Sequence, residues 1–193
     1  MTKIGLISDT HGYLDEAVFY HFKDCDEVWH AGDFGPSHYP SAIRREAELE
    51  DQVIELHDLK KLGVWQENYF SNRLNKKITF RGVYGNIDGA DIRNTYPEKL
   101  FFTCEKVNVY MQHIGGYPNR YAKGVKENIV MHHSNLFISG HSHILKIMYD
   151  AKLNCLHMNP GAAGKQGWHK IKTLIKFNID GANMKDCEVV ELG

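Results

Sequence analysis

The sequence predicts an α/β fold in which a largely parallel central sheet is covered by helices. Two features of the chain indicate this class. Short apolar segments, bounded by glycine or polar residues, recur along the sequence and are typical of strands. Between the first of them lie segments whose apolar residues recur at helical spacing, and such alternation is typical of a layered α/β domain.

The predicted strands are short and become more closely spaced toward the carboxyl terminus. They are residues 4–7, 27–31, 78–84, 107–112, 136–139, 155–158 and 174–178. Because parallel strands need a long crossover connection, the later strands are also suited to antiparallel pairing.

The predicted helices are residues 15–23, 41–62 and 121–132. In the first, apolar residues recur around Phe19, and Asp15 is placed to cap the amino-terminal end. The second carries dense charge, and the third is less regular. We expect residues 1–193 to form a single domain, because this length is that of one ordinary domain with a substantial core.

Composition limits the possible functions. The formal net charge of −1 provides no attraction toward nucleic acid or an anionic membrane. No apolar run approaches the roughly 18 residues that span a bilayer, and the chain begins in a strand-like segment without signal-peptide features. The four cysteines show no CxxC spacing, which argues against a zinc ribbon and a disulfide framework. These features predict a cytoplasmic protein.

Polar side chains that can bind metal follow the ends of five consecutive predicted strands. They are Asp9, His11, Asp33, Asn86, His113, His141 and His143. In parallel sheets the functional crevice lies beyond the carboxyl ends of the strands. Carboxylate, amide and imidazole groups suit divalent manganese, iron, nickel, cobalt or zinc. Seven donors exceed what one ion of about four to six ligands needs, so they favour two ions that share a bridging carboxylate.

The spacing of these donors is informative as well. One residue separates Asp9 from His11 and His141 from His143, so in an extended segment both donors of a pair point to the same side. The second pair could also reach two different ions. Each short motif alone is more often an ordinary turn or helix cap. Their joint occurrence at successive strand ends is what favours a metal centre.

The order of these motifs resembles that of the calcineurin-like metallophosphoesterase superfamily, and in particular its small single-domain phosphodiesterase branch. The matching stretches are Asp9-Thr10-His11, Gly32-Asp33, Gly85-Asn86-Ile87-Asp88, His113 and Gly140-His141-Ser142-His143. The resemblance implies a four-layer α/β/β/α sandwich, in which two sheets lie between helices.

By matching positions, the resemblance also implies a site for two divalent metal ions, which would be manganese, nickel, iron or zinc. The ligands of one ion would be Asp9, His11 and His143. The ligands of the second would be Asn86, His113 and His141. Asp33 would bridge the two ions.

The activity that the resemblance implies is hydrolysis of phosphate esters by in-line attack of a metal-bridging hydroxide. Asp33, Asn86 and His11 would be catalytic, and Asp88 would orient a ligand imidazole from behind. Ile87 stands where the family has a general-acid histidine, and isoleucine cannot transfer a proton. We therefore predict a small phosphodiester, or another ester with a good leaving group, as substrate in preference to an alkyl monoester.

Three alternatives to a phosphodiesterase stay open at this point. They are a phosphomonoesterase, a nuclease, and a non-catalytic protein-interaction scaffold on the same fold, as in the retromer subunit. The absence of a basic, aromatic-rich stripe argues against an extended nucleic-acid polymer as partner. A competent donor at every ligand position favours the enzyme over the scaffold.

One further expectation concerns a helical insertion around residues 38–75, a stretch that is long for this branch. It is compatible with a lid or with a subunit contact in a homo-oligomer. An ordinary surface helix fits the sequence equally well.

Overall fold

The computed structural model describes residues 1–35 and 65–193 of the chain. The predicted helix at 41–62 and most of the predicted insertion around 38–75 lie outside the described residues. The described end of that insertion is a helix, Trp65–Leu74, which packs against the first helix of the chain.

The described residues form twelve strands and four helices. In chain order the strands are β1 (Thr2–Ile7), β2 (Glu27–His30), β3 (Thr79–Gly82), β4 (Lys99–Cys104), β5 (Val107–Gln112), β6 (Gly116–Tyr117), β7 (Arg120–Tyr121), β8 (Leu136–Ile138), β9 (Leu145–Asp150), β10 (Cys155–Pro160), β11 (Lys172–Asp180) and β12 (Asn183–Leu192). The helices are α1 (Glu16–Phe22), α2 (Trp65–Leu74), α3 (Ala90–Thr95) and α4 (Val125–Met131).

Ten of the strands form two five-stranded sheets. The first has the order β12-β11-β1-β2-β3 and the second the order β4-β5-β8-β10-β9. Strands β1, β2 and β3 run parallel, as do β5, β8 and β10, whereas the remaining pairings are antiparallel. Each sheet is therefore mixed, and the expectation of one largely parallel sheet is wrong. The late strands return by short connections, which only antiparallel pairing allows.

The parallel strands are aligned so that their carboxyl ends coincide. His30 at the end of β2 pairs with Ile7 of β1 and with Gly82 of β3. In the second sheet, Ile138 of β8 pairs with Met111 of β5 and with Met158 of β10. The loops that follow these strands consequently leave each sheet at one edge.

The two sheets pack face to face through an apolar layer. Trp29 and Phe177 from the first sheet and Met111 and Ile138 from the second are at most 2% exposed. Trp29 meets the rings of Phe102 and Phe177 edge-on, at centroid distances of 5.0 and 5.7 Å. Burial of each such side chain stabilises the fold by roughly 1.5–3 kcal/mol relative to exposure.

Helices cover the outer faces of both sheets. Phe19 and Phe22 of α1 and Phe70 of α2 are buried in a cluster with residues of the first sheet. Val125 and Ile129 of α4 are buried in a cluster with residues of the second. The predicted four-layer α/β/β/α sandwich is therefore confirmed. Among the described residues, no helix is long and apolar enough to cross a membrane.

Local sequence signals explain which elements can be predicted. Asp15 caps α1 as expected, since its carboxylate accepts the backbone N–H of Ala17 at 3.0 Å. Strand β12 gives no apolar pattern because it lies at a sheet edge and buries only Val190 and Leu192. The sequence likewise does not predict β4, β9 or α3.

Replacement of Phe177 by alanine should lower the free energy of unfolding by about 3–5 kcal/mol, because it leaves a cavity between the sheets. Chemical denaturation of the metal-free protein measures this. The matched control is Tyr20→Ala, whose ring is 67% exposed on α1 and whose loss should cost about 0.5 kcal/mol or less. Equal losses for the two variants would contradict the packing described for the sheet interface.

Candidate metal centre

The loops that follow the parallel strands bring the predicted ligands to one edge of the sandwich. The backbone N–H of Gly140 donates to the carbonyl oxygen of His113 at 3.0 Å. The side chain of His113 in turn crosses to the first sheet, where its Nδ1 lies 2.7 Å from the carbonyl oxygen of Ala31. The carboxyl edges of the two sheets therefore form one continuous surface.

Six of the seven predicted ligands form two clusters on this surface. One contains Asp9, His11 and His143. The other contains Asp33, His113 and His141. Within each cluster the potential ligand atoms all lie within 4.8 Å of one another. The first cluster has the members that the resemblance implies for one ion, whereas the second contains Asp33, the expected bridge, beside His113 and His141.

The first cluster is organised around the buried carboxylate of Asp9. Its Oδ2 accepts the hydroxyl of Ser8 at 2.5 Å and the backbone N–H of His141 at 3.1 Å. Its Oδ1 is buried, and no hydroxyl or amide donor among the described residues satisfies it. This oxygen instead faces imidazole nitrogens, with Nε2 of His143 at 3.1 Å and Nε2 of His11 at 3.9 Å. A buried carboxylate oxygen surrounded by imidazoles fits a divalent cation.

The second cluster is organised around His113, which is 2% exposed. Its Nε2 lies 3.2 Å from Oδ2 of Asp33 and 3.2 Å from Oδ1 of Asn86. Asn86, the seventh predicted ligand, thereby joins this cluster through its amide oxygen. The ring of His141 lies beside that of His113, at a centroid distance of 5.3 Å. Since Nε2 of His113 is also 3.9 Å from Oδ1 of Asp9, the two clusters adjoin.

Five of the seven predicted ligands have a left-handed backbone conformation. The φ angles are 54° for Asp9, 49° for His11, 56° for Asp33, 67° for His141 and 55° for His143. This conformation is uncommon in residues other than glycine and costs of order 1–3 kcal/mol at each position. Its concentration at one edge of the sandwich is typical of a functional site.

Two glycines permit the close approach of these loops. A Cβ on Gly85 would lie 2.0 Å from Oδ1 of Asp33. A Cβ on Gly140 would lie 2.1 Å from Oγ of Ser8 and 2.9 Å from Oδ2 of Asp9. Any larger residue at either position would displace a predicted ligand, which explains why the sequence has glycine there.

Residues 2–182 match the model of the calcineurin-like phosphoesterase superfamily domain. The chain belongs to this family. Nearly the whole sequence is matched, so the match includes both clusters and every strand of the two sheets except β12. No curated protein matches the sequence.

Solved structures share the fold of this calcineurin-like phosphoesterase at low sequence identity. A predicted phosphoesterase from Streptococcus pneumoniae is 17% identical, with 98% of this chain and 89% of that one covered and a TM-score of 0.59. Vps29 from Entamoeba histolytica in complex with zinc is 12% identical, with 98% of each chain covered and a TM-score of 0.62. The phosphoesterase Yfce from E. coli is 18% identical, with 91% of this chain and 88% of that one covered and a TM-score of 0.54.

The protonation of the cluster residues follows from their surroundings. Burial alone would raise the pKa of Asp33, but the hydrogen bond and charge of His113 hold that pKa below its ordinary value. Burial would lower the pKa of His113, whereas its hydrogen bond to Asp33 and the charge of Asp9 raise it. The pKa of His143 is raised chiefly by its close approach to the carboxylate of Asp9. Burial lowers the pKa of His11 and of His141.

Asp88 connects two of the ligand loops. Its carboxylate accepts the backbone N–H groups of Asp33 at 3.1 Å, Gly35 at 3.0 Å and Gly85 at 2.7 Å. These contacts correct the expectation that Asp88 orients a ligand imidazole. It holds the loop after β2 against the loop after β3 through backbone amides, and so fixes Asp33 relative to Asn86.

Arg93 of α3 also supports this loop, and the sequence gives no indication of this role. Its guanidinium donates to the carbonyl oxygens of Asp88 at 2.7 Å, Asn86 at 3.0 Å and Gly85 at 3.2 Å. A planar guanidinium is well suited to such multiple donation. The loop that carries Asn86 is therefore held by both Asp88 and Arg93.

His30 is a second residue whose contribution the sequence does not reveal. Its Nδ1 accepts the backbone N–H of Gly32 at 3.2 Å, so the proton is on Nε2, which lies 3.0 Å from the hydroxyl of Thr10. That hydroxyl donates in turn to the carbonyl oxygen of Phe34 at 3.1 Å. Neutral His30 thus joins the loop after β1 to the loop after β2. Burial lowers the pKa of His30 to about 3.

The remaining histidines have mixed surroundings. His132 stacks on Phe101, and His157 lies 2.9 Å from the hydroxyl of Ser139, so both have structural roles within the fold. His169 differs, because its ring contacts that of His143.

The low pKa of His30 predicts a specific dependence of stability on pH. The unfolded state takes up a proton below about pH 6.5, whereas folded His30 does so only near pH 3, so stability falls as the pH falls between these values. Between pH 6.5 and pH 5, the free energy of unfolding should therefore fall by about 1.5 kcal/mol less in His30→Gln than in the wild type. Denaturation with a chelator present measures this.

His21→Gln on α1 is the control, and it should follow the wild-type pH dependence. A His30→Gln variant with that same dependence would show that His30 is not held neutral in the fold.

Proposed function

We propose that this chain is a dinuclear metal-dependent phosphodiesterase. The observation that carries the proposal is the pair of adjoining clusters, each with a carboxylate and two imidazoles. Asp9, His11 and His143 would hold one divalent ion, while His113, His141 and Asn86 would hold the second. Asp33 would bridge them. Manganese, nickel, iron and zinc all suit this donor set.

Two observations support the fit of these residues to two ions: the negative charge of the carboxylates, and a buried carboxylate oxygen that lacks a hydrogen-bond donor in the described part of the chain. The clusters contain the carboxylates of Asp9 and Asp33 and four imidazoles within a small volume. Asp9 Oδ1 is buried without a hydroxyl or amide donor among the described residues. Cations at these positions would satisfy that oxygen and would use the imidazole lone pairs. When bound, two divalent ions supply Lewis acidity and make water acidic enough to ionise near neutral pH.

The chain's own residues would then determine position and selectivity. Asp33 would fix the spacing of the ions, since its Oδ1 is held by the backbone N–H of Ile87 at 3.0 Å and its own backbone by Asp88. Asn86 is a neutral ligand, so it would leave the second position more electrophilic than a carboxylate would. Ile87, 41% exposed beside this position, has no proton to give to a leaving group.

A metal-dependent assay on bis(p-nitrophenyl) phosphate tests the proposed activity. We expect turnover with at least one of manganese, nickel, cobalt, iron or zinc. In Asp33→Asn the activity should fall about 10²-fold or more, because this substitution keeps the shape of the side chain but removes the bridging charge. Asp24→Asn is the matched control, because Asp24 forms ion pairs with Lys3 and Lys176 outside the clusters.

Two bound ions without turnover of any phosphodiester would contradict the proposal. That result would favour a protein-interaction scaffold on the same fold.

The isoleucine at position 87 predicts a strong dependence on the leaving group. Without a proton donor at this position, kcat/KM for esters of alkyl alcohols should be about 10²–10⁴-fold lower than in an enzyme that has a general acid there. Ile87→His should reduce this dependence, whereas Ile87→Leu should preserve it. The measurement is kcat/KM for a series of aryl and alkyl phosphodiesters and monoesters. Efficient hydrolysis of an alkyl phosphomonoester by the wild type would overturn the prediction.

A further inference from the structure

The segment from Gly164 to His169 lies against the first cluster and lies outside the family motifs. Its near end is fixed to the loop of Asp9, because the backbone N–H of Gly164 donates to the carbonyl oxygen of Asp9 at 3.0 Å. Its far end returns to Gly164, whose own carbonyl oxygen lies 2.9 Å from Nε2 of His169. Between these points the side chain of Trp168 is fully exposed.

The contact with the Gly164 carbonyl determines which nitrogen of His169 carries a proton. A carbonyl oxygen can only accept, so Nε2 of His169 is the donor and Nδ1 of the neutral ring is an acceptor. That acceptor is buried, and no donor among the described residues satisfies it. A buried acceptor without a donor is costly, which suggests that a donor is supplied in another state of the protein.

The complementary donor belongs to His143. Nε2 of His143 faces Asp9 and His11, at 3.1 and 3.2 Å, so this nitrogen is the one that would bind an ion. Once its Nε2 lone pair is used in this way, the neutral ring carries its proton on Nδ1. Imidazoles that bind metal almost always donate this second N–H to an acceptor.

The geometry around Gly167 places both Nδ1 atoms beside this residue. A Cβ on Gly167 would lie 2.1 Å from Nδ1 of His143 and 3.1 Å from Nδ1 of His169. The residue has a φ of 121°, which a side chain would disfavour, and so both space and conformation require glycine. The two rings lie nearly perpendicular, with centroids 5.3 Å apart.

We propose that His169 is a positioning residue for the first metal site, and that its Nδ1 accepts the Nδ1–H of His143 when an ion is bound. This role rests on the proposed function, since it requires the dinuclear centre. The same role explains why residue 167 is glycine and why the segment is hydrogen-bonded to the backbone of Asp9. His113 has the equivalent support from within the fold, because its own Nδ1 lies 2.7 Å from the carbonyl oxygen of Ala31.

Titration of the metal-free protein with manganese, followed by calorimetry, tests this role. The wild type should bind two ions per chain. His169→Leu, which removes the acceptor, should bind one of the two ions about 10–100-fold more weakly. His169→Asn, whose amide oxygen replaces Nδ1 as an acceptor, should recover most of that loss. Electron paramagnetic resonance should show spin-coupled manganese in the wild type and in His169→Asn, and a larger uncoupled signal in His169→Leu.

His21→Gln serves as the control for removal of a histidine outside the clusters, and it should bind as the wild type does. Unfolding of each protein in a chelator separates a general loss of stability from a loss of metal affinity. Wild-type affinity for both ions in His169→Leu would overturn the role of His169 while leaving the proposed function intact, as would equal weakening in His169→Asn and His169→Leu. A wild type that binds no manganese, nickel, cobalt, iron or zinc would overturn the proposed function and this role together.

Discussion

The register of the parallel strands is the constraint on which the site depends. Ile7, His30 and Gly82 lie side by side where β1, β2 and β3 end, and Met111 and Ile138 do the same in the second sheet. Because the two sheets pack face to face, the loops after these strands meet at one edge. A register shift of one residue in any of them would turn its side chains to the opposite face and disperse the clusters.

Conformational strain is the second physical feature of this edge. Asp9, His11, Asp33, His141 and His143 all have positive φ, although none is glycine. The strain is balanced by fixed contacts between loops: Asp88 accepts three backbone amides, Arg93 donates to three carbonyl groups, and neutral His30 joins two loops. The predicted ligands are therefore held in place by contacts within the protein itself, and such an arrangement would reduce the free-energy cost of binding an ion.

Much of the fold and most of the candidate ligands could be predicted from the sequence, for identifiable reasons. Donors at successive strand ends are visible as short motifs, and topology brings such positions together. Edge strands such as β12 could not be predicted, because their side chains mostly face solvent and show no apolar pattern. The supporting roles of Arg93, His30 and His169 could not be predicted from the sequence either, since these residues act through contacts with residues distant in sequence. The role expected for Asp88 was wrong for a similar reason: its partners are backbone amides, which carry no sequence signal.

The central claim is that the two adjoining clusters form one dinuclear centre. A crystal structure of the manganese-loaded protein, with data collected near the manganese absorption edge, tests it most directly. The account predicts two anomalous peaks roughly 3.5–4 Å apart, one among Asp9, His11 and His143 and the other among Asn86, His113 and His141, with Asp33 between them. A single peak, or two peaks without a shared Asp33 carboxylate, would contradict it.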